Sequence, residues 1–216
     1  MIFNLGDMMI FKKLELINFK SHANTTLDFN PGISLIVGEN GAGKSTLLDA
    51  IQFVITCSAN YFNKAAHENG KRKLTGYIRC KTGKENKPYE RTGEISAHVA
   101  LEFYEENKQK YFIVGAVIDS ASEGQEKTVR YLMDGVRLED ELFLNGKTPK
   151  SIAQFRATNG KKIKEWCTTD KEAKKVFSNF NIELEVLTGS TSAKEKKRIK
   201  ERIKSDEPLL VLGTHA

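Results

Sequence analysis

An eight-residue stretch near the start of the chain has the residue types and spacing needed to hold a chain of phosphates. It runs Gly38-Glu39-Asn40-Gly41-Ala42-Gly43-Lys44-Ser45 and matches the pattern G-x-x-x-x-G-K-[ST] in full. Glycines let successive backbone N–H groups turn inward around phosphate oxygens, and the positive end of a following helix adds to the attraction. The lysine would bridge the β- and γ-phosphates of a nucleotide, and the serine hydroxyl would be a ligand of Mg²⁺.

This loop predicts a binding site for ATP and Mg²⁺. By average residue frequencies, the full pattern arises by chance in roughly one chain in a hundred of this length. The candidate nucleotide contacts are Asn40, Gly41, Gly43, Lys44, Ser45 and Thr46, with Ser45 as the metal ligand. The alternative interpretation is a loop of the same sequence that packs without binding nucleotide.

The segments on either side of the loop are those that such a site requires. Residues 33–37 form a largely apolar run, which is typical of a strand buried on both faces. After Ser45 the apolar residues recur at spacings of three and four, which predicts a helix with one buried face. They are Leu47, Leu48, Ile51, Val54 and Ile55. A buried strand, a glycine-rich loop and a helix in this order favour the phosphate-binding interpretation.

Most of the remaining chain predicts strands. Apolar and polar residues alternate from Ile95 to Phe103, and residues 111–118 and 128–133 are predicted as antiparallel partners in a β-layer over about 94–134. Earlier strands are predicted at 10–19 and 26–29, and a tight hairpin turn is predicted at Asp134-Gly135. With the P-loop helix, these strands predict an α/β fold with a mixed sheet.

Two helices are predicted beyond the β-layer. Thr148-Pro149 predicts the opening of a short helix, because proline is favoured at the first helical position. Thr169 and Glu172 have the spacing of a capping box in front of a second helix. Residues 184–187 and 209–212 are then predicted as strands around a helix that begins with a capping box at Ser192 and Glu195. This last segment is therefore predicted to be a small βαβ unit.

The positive charge is concentrated in two segments. The chain has 34 lysine and arginine residues against 28 acidic residues, a net charge of +6. Residues 63–91 contain nine basic and three acidic residues, and residues 194–204 contain seven basic and two acidic residues. Such local patches suit contact with a phosphate backbone, and Lys71, Arg72 and Lys73 are the candidate contacts in the first one. The alternative is that both patches are ordinary solvated surfaces.

Composition excludes several other classes of protein. The longest apolar run has eight residues, Tyr111 to Ile118, whereas a membrane-spanning helix needs about 20. No secretory signal is recognisable at the start, so the predicted location is cytoplasmic. Three widely spaced cysteines offer neither a disulfide framework nor a CxxC metal site. Residues 1–8 are predicted to be a disordered leader.

The first part of the chain resembles the start of the SMC, SbcC and RecF group of ABC-type ATPases. The resemblance over residues 9–55 rests on Ile17-Asn18-Phe19-Lys20-Ser21-His22, the apolar run 33–37, and the loop with the Thr46-Leu47-Leu48-Asp49-Ala50-Ile51 that follows it. Lys20 and Ser21 match family positions that touch nucleotide beside the P-loop. Over about 60–180, segments such as Gly76-Tyr77-Ile78-Arg79 and Gly93-Glu94-Ile95 are similar to the MukB-like branch that includes JetC.

This resemblance implies the N-terminal lobe of an ATPase head. In the family, ATP lies between two heads, and dimerisation controls the handling of DNA. The Q-loop glutamine, the signature motif, the Walker B acids and the switch histidine lie downstream of the matched region, and none is recognisable after Phe180. The chain is therefore expected to bind ATP better than it hydrolyses it, no catalytic residue is assigned, and hydrolysis requires a C-terminal half or a second head.

The last 36 residues resemble a different protein. Residues 186–191 and 210–216 are similar to turns inside the first motor domain of the RecG helicase, where such turns lie on the DNA-binding side. The corresponding residues here are Thr188, Gly189, Ser190, Gly213, Thr214 and His215. The predicted domains are therefore 9–180 and 181–216, and the change near Phe180 suggests a join of two gene fragments.

Two functions of different classes follow from the sequence. The first is ATP-dependent, DNA-associated work as half of an SMC-like head, in DNA repair, chromosome organisation or plasmid defence. The second is a non-catalytic fragment that binds DNA or a protein partner through its basic segments. A piece of a RecG-like helicase is a third possibility, which depends on the tail alone.

Overall fold

Six antiparallel strands form the main sheet of the computed structural model. The structure describes residues 9–30, 34, 36, 39, 41–60, 62, 73–178, 183–187, 191–204 and 209–213. The strands are β1 (Met9–Phe19), β2 (His22–Asp28), β3 (Lys81–Lys84), β4 (Lys87–Tyr89), β5 (Ile95–Glu105), β6 (Lys110–Ser120), β7 (Glu126–Asp134), β8 (Leu144–Asn145), β9 (Thr148–Pro149), β10 (Ile163–Cys167), β11 (Glu183–Leu187) and β12 (Leu209–Gly213). The helices are α1 (Lys44–Ile55), α2 (Leu74–Ile78), α3 (Ile152–Asn159), α4 (Asp170–Phe177) and α5 (Ala193–Ile203), with a short 3₁₀ helix at Asp140–Leu142.

The strand order in the main sheet is β10-β7-β6-β5-β1-β2. All of these neighbours pair antiparallel, which confirms the predicted β-layer and the α/β class. The P-loop strand predicted at 33–37 lies largely outside the described residues, so the described sheet around α1 contains antiparallel pairs alone.

Helix α1 packs on one face of this sheet. Successive strand residues point to opposite faces, so Leu14 and Leu16 of β1 and Val99 of β5 all reach the core under α1. Ile51 and Val54 bring the helix to the same core, as the predicted apolar spacing requires, and Phe53, which lies outside that pattern, is buried there too. The guanidinium of Arg130 donates to the Phe53 carbonyl oxygen at 2.9 Å, which ties the end of α1 to strand β7. The helix that follows the P-loop is therefore held by the sheet.

The opposite face of the sheet combines aromatic rings with buried polar groups. Across it, Glu15 pairs with Ala100, Ala100 with Gly115, and Gly115 with Tyr131, so these four residues form one row. A Cβ added at Gly115 would lie 2.4 Å from the Tyr131 hydroxyl oxygen and 2.7 Å from the Val99 carbonyl oxygen. A glycine is needed here because the tyrosine side chain lies across this position.

Two predicted local details are wrong. Asp134-Gly135 is not a hairpin turn, because β7 pairs with β10 on that side and the chain continues instead into the 3₁₀ helix. Thr148-Pro149 is strand β9 rather than the start of a helix. Helix α3 begins at Ile152, where Ser151 and Gln154 form a capping box that satisfies its first backbone N–H groups.

Other elements in this part of the chain were not predicted. Strand β10, helix α2 and the β3–β4 hairpin lie in segments whose apolar pattern is short or interrupted by charges. The capping box of Thr169 and Glu172 is confirmed at the start of α4. No helix among the described residues is long and apolar enough to cross a membrane.

The tail has the predicted secondary structure. Strands β11 and β12 pair in parallel, with α5 between them in sequence and the capping box of Ser192 and Glu195 at its start. Arg198 and Arg202 of α5 donate to the Glu185 carboxylate at distances of 2.6 to 2.8 Å. These contacts lower the pKa of Glu185, and they hold α5 to strand β11.

The fold strongly affects the charge of the buried residue Glu15. It is 0% exposed, one carboxylate oxygen accepts from the Thr26 hydroxyl at 2.6 Å, and the other has no hydrogen-bond partner. Burial raises the pKa of Glu15 to about 7, nearby Asp140 acts in the same direction, and Thr26 and Lys13 oppose it. Because the folded state holds this proton more tightly than the unfolded state, raising the pH lowers stability.

We expect Glu15→Gln to stabilise the protein increasingly as pH rises from about 4.5 to 7, with the gain levelling off at higher pH. Glutamine cannot ionise, so the variant avoids the charge that the wild type must bury in this range. Urea denaturation of both proteins between pH 4 and 8 measures the difference in free energy of unfolding. A difference that does not change with pH would contradict this account.

Candidate functional site

The backbone of the glycine-rich loop takes a conformation that suits glycine at two positions. Gly41 and Gly43 have φ angles of 89° and 90°, in the left-handed region that other residues rarely adopt. Ala42 lies between these two glycines, and its N–H donates to the Glu39 carbonyl oxygen at 3.1 Å. Gly43 is also the N-cap of α1, so this turn leads directly into the N-terminus of that helix.

The N-terminus of α1 is well suited to an anion. Its first turn contains no acidic residue, and Gly43 makes no side-chain cap, so the first backbone N–H groups meet no carboxylate of the same turn. Ser45 is exposed and Thr46 is buried. The Lys44 ammonium donates to the Glu39 carbonyl oxygen at 2.8 Å, which folds this side chain back along the loop.

The turn between β1 and β2 packs directly against Gly43. A Cβ added at Gly43 would lie 2.6 Å from His22 Nε2 and 3.3 Å from Ser21 Oγ. The fold thus brings Ser21 to the P-loop, as the resemblance implied. It also brings His22, the next residue of the same motif, against Gly43. No role was predicted for His22.

His22 has one ring nitrogen with a partner and one without. Its Nδ1 lies 3.1 Å from the Thr25 hydroxyl, whereas Nε2 is buried beside Gly43 with no hydrogen-bond partner. Burial lowers the pKa of His22, and the backbone of Gly43 acts in the opposite direction. A neutral imidazole here presents a polar atom to the loop.

Lys20 lies in the same turn but its side chain points elsewhere. Its ammonium donates to the Lys81 carbonyl oxygen at 3.0 Å, and its backbone N–H donates to the Tyr77 carbonyl oxygen at 2.6 Å. In this conformation Lys20 joins the turn to α2 and the β3–β4 hairpin. Its contact with nucleotide stays a prediction.

Helix α2 also contacts the helix of the site. The Tyr77 hydroxyl donates to the Asp49 carboxylate of α1 at 2.5 Å, and both side chains are buried. The Tyr77 ring stacks on Phe62 with centroids 4.1 Å apart and lies 5.2 Å from the Phe19 ring. Sequence reasoning missed this link because α2 has only five residues and no clear apolar repeat.

The candidate nucleic-acid residues are mostly not described. Outside the described residues lie Lys71 and Arg72 of the first basic segment and the tail residues Thr188, Gly189, Ser190, Thr214 and His215. Asn40, a candidate nucleotide contact of the P-loop, also lies outside them. Lys73 is exposed at the start of α2, and Gly213 ends strand β12. The lysines of the β3–β4 hairpin, Lys81, Lys84 and Lys87, are also exposed, as are Lys194, Lys197, Lys200 and Lys204 of α5.

A glycine-rich loop in left-handed turns, an uncapped helix N-terminus and an adjoining lysine and serine define a P-loop domain of the α/β class. The chain belongs to the AAA domain family, whose model matches residues 13–210. The match includes the glycine-rich loop and continues past residue 180.

The similar proteins are DNA double-strand break repair Rad50 ATPases. The relative from Aeropyrum pernix is 59% identical over 49 residues, covering 23% of this chain and 5% of the relative. The relative from Pyrococcus abyssi is 25% identical over 209 residues, covering 92% of this chain and 23% of the relative. A solved chain from work on the ATP-driven dimerisation and DNA-stimulated activation of SMC ATPases aligns with a TM-score of 0.43 and 21% identity, over 90% of this chain and 99% of that chain. This chain spans less than a quarter of the length of the Rad50 relatives.

These findings confirm the predicted resemblance at the level of the AAA domain family and of similarity to Rad50 ATPases. The narrower similarity to the MukB-like branch and the RecG-like stretch remain predictions. So do the domain boundaries and the individual contact residues.

We expect Gly43→Ala to destabilise the protein by about 1–3 kcal/mol more than Gly41→Ala. Both substitutions force an alanine into the left-handed region, but at Gly41 the added Cβ meets nothing within 4 Å, whereas at Gly43 it meets His22. Urea denaturation without nucleotide measures both. Combining Gly43→Ala with His22→Ala should recover much of the excess, and equal destabilisation by the two glycine variants would contradict the contact.

Proposed function

We propose that this chain is the ATP-binding N-terminal half of an SMC- and Rad50-like, DNA-associated ATPase. The observation that carries the proposal is the left-handed turn at Gly41 and Gly43, which leads into the N-terminus of α1 and leaves its first N–H groups without an acidic partner in that turn. Family membership and the Rad50 relatives support the same function.

The residues present fit a Mg²⁺-bound nucleotide. Backbone N–H groups of the loop and the helix N-terminus would hold the phosphates, and the Lys44 ammonium would exchange the Glu39 carbonyl oxygen for a more strongly attracting phosphate. Exposed Ser45 would be the protein ligand of the metal. When bound, Mg²⁺ neutralises part of the phosphate charge. Ser21 would contact the nucleotide from the β1–β2 turn, with Lys20 beside it.

Hydrolysis needs groups from elsewhere. The predicted requirement is a carboxylate that orients the attacking water and completes the metal shell. We propose that a complementing C-terminal half, or a second head in a head-to-head dimer, supplies it. DNA is the proposed substrate on which the assembled ATPase works, in the cytoplasm.

The domain division is part of the proposal. We propose that residues 9–180 form the ATPase lobe and 181–216 a separate βαβ unit of RecG-like origin, a division that the parallel pairing of β11 with β12 supports. The family match through residue 210 supports a continuous lobe instead. Amplifying and sequencing the transcript across codons 170–190 decides whether the junction exists in the gene.

We expect Mg-ATP to raise the melting temperature of the wild-type chain and to leave that of Lys44→Ala unchanged. At a nucleotide concentration 100 times Kd, binding adds about 2.7 kcal/mol to the free energy of unfolding. The variant loses the ammonium that would contact the phosphates. Each protein is compared with its own ligand-free melt, and Lys84→Ala on the exposed β3–β4 hairpin serves as the control for loss of a lysine. A cooperative wild-type melt with no shift would overturn the proposed nucleotide site.

A second candidate function is nucleic-acid binding without turnover of ATP. Two observations favour it. The lysines of the β3–β4 hairpin, which lies within the basic segment 63–91, are exposed, and so are Lys194, Lys197 and Lys200 of α5. Contacts between lysines and phosphates release counterions, so each contact contributes to the salt dependence of binding.

Neutralising Lys71, Arg72 and Lys73 together should weaken binding to duplex DNA and reduce the slope of log K against log salt by up to about 2.7, the value for three phosphate contacts. The slope is measured by fluorescence anisotropy at several salt concentrations. The matched comparison is neutralisation of Lys194, Lys197 and Lys200, which removes the same charge from α5. If only the α5 variant changes the slope, the tail is the DNA-binding surface and the first segment is a solvated loop.

A further inference from the structure

Arg91 joins the β1–β2 turn to the segment that contains α2. One of its terminal nitrogens, Nη1, donates to the carbonyl oxygens of Lys20 at 2.8 Å and Ile78 at 3.0 Å. The other, Nη2, lies 3.4 Å from the His22 carbonyl oxygen. The guanidinium therefore contacts the backbone of the turn on both sides of Ser21.

The contacts of Arg91 are unusual for a charged side chain. It forms no ion pair with a carboxylate among the described residues, and it is half-buried, which lowers the pKa of its guanidinium. A planar guanidinium has donors fixed in several directions, so one group can hold carbonyl oxygens from two segments together. A lysine at this position would have a single ammonium on a flexible stem and could not reproduce the arrangement.

The turn that Arg91 contacts has a strained backbone. Lys20 in the turn has a φ angle of 55°, which costs a residue other than glycine about 1–2 kcal/mol, and Asn18, near the end of β1, has a φ angle of 52°, which asparagine tolerates better. The conformation persists because neighbouring groups hold it. Asn18 Nδ2 donates to the Ser96 carbonyl oxygen at 2.9 Å, the Lys20 N–H donates to the Tyr77 carbonyl oxygen, and Arg91 holds the far side.

The position of this turn decides what the P-loop meets. Ser21 and His22 lie against Gly43, and a Cβ there would come within 3.3 Å of Ser21 and 2.6 Å of His22. A shift of the turn by about one ångström would therefore open the space beside Gly43 or close it further. Arg91 lies in a loop 48 residues from Gly43 in the chain, outside the P-loop and outside the first strand.

We infer that Arg91 is a positioning residue for the nucleotide site. Its guanidinium fixes the β1–β2 turn by its backbone oxygens and so sets the place of Ser21 and His22 beside Gly43. Arg91 acts through the turn and is not itself a contact of the nucleotide. The inference rests on the proposed nucleotide-binding function.

The test compares Arg91→Lys and Arg91→Ala with wild type. We expect both variants to weaken ATP binding about tenfold or more, measured by calorimetry with Mg-ATP on protein shown to be folded by circular dichroism. Arg91→Lys should fail to restore affinity although it keeps the charge. Exchange of the Lys20 amide hydrogen, which is bonded to Tyr77, should become faster in both variants without nucleotide. Arg156→Ala is the control, because it removes an exposed arginine that packs over Trp166 on the other side of the sheet.

Each outcome separates this inference from the proposed function. If wild type does not bind ATP, the nucleotide site itself fails. If wild type binds and either Arg91 variant binds as tightly, the positioning role is overturned while the nucleotide site stands. Failure of both variants to fold would assign Arg91 to the stability of the whole domain, which also overturns the inference.

Discussion

The close approach of the β1–β2 turn to Gly43 is the contact on which the proposed site depends. It leaves no room for a Cβ at Gly43, the last glycine of the loop and the N-cap residue of α1. Steric exclusion and a left-handed backbone therefore require the same residue type at the same position. A glycine at this position lets the β1–β2 turn contact the N-terminus of α1. Phosphate oxygens bound there would accept hydrogen bonds from backbone N–H groups and polar side chains.

The rest of the fold holds the two sides of this contact. Strand β5 pairs with β1 and β6 pairs with β5, and the apolar side chains of α1 pack on one face of this sheet. Arg130 ties the far end of α1 to β7, while the Tyr77 hydroxyl ties its middle to α2. The strained turn is held by hydrogen bonds to groups outside it, one from its Lys20 N–H to Tyr77 and others from the Arg91 guanidinium. The proposed site thus lies between two rigid elements, which is the arrangement that precise phosphate binding needs.

The other face of the sheet contains buried ionisable residues among its apolar side chains. Glu15, His98 and Tyr131 are fully buried, and each has an atom without a hydrogen-bond partner. Burial lowers the pKa of His98 to about 4, so His98 is neutral near neutral pH, and it raises the pKa of Glu15 to about 7, so Glu15 stays largely protonated below that pH. Aromatic rings of Phe143 and Phe155 close over this region. The neutral forms of these groups can be buried among apolar side chains at a much lower free-energy cost than the charged forms.

Sequence pattern was enough to predict the P-loop, its helix, the β-layer and the capping boxes of α4 and α5, because each depends on residues close together in the chain. It misplaced the start of α3 and did not predict α2, the β3–β4 hairpin or β10, whose short segments carry little periodic signal. The folded chain was needed to show that His22 lies against Gly43, that Tyr77 donates to Asp49, and that Arg91 holds the β1–β2 turn. These contacts join residues 21 to 71 positions apart, and local pattern contains no information about which distant carbonyl oxygen or ring a side chain will meet.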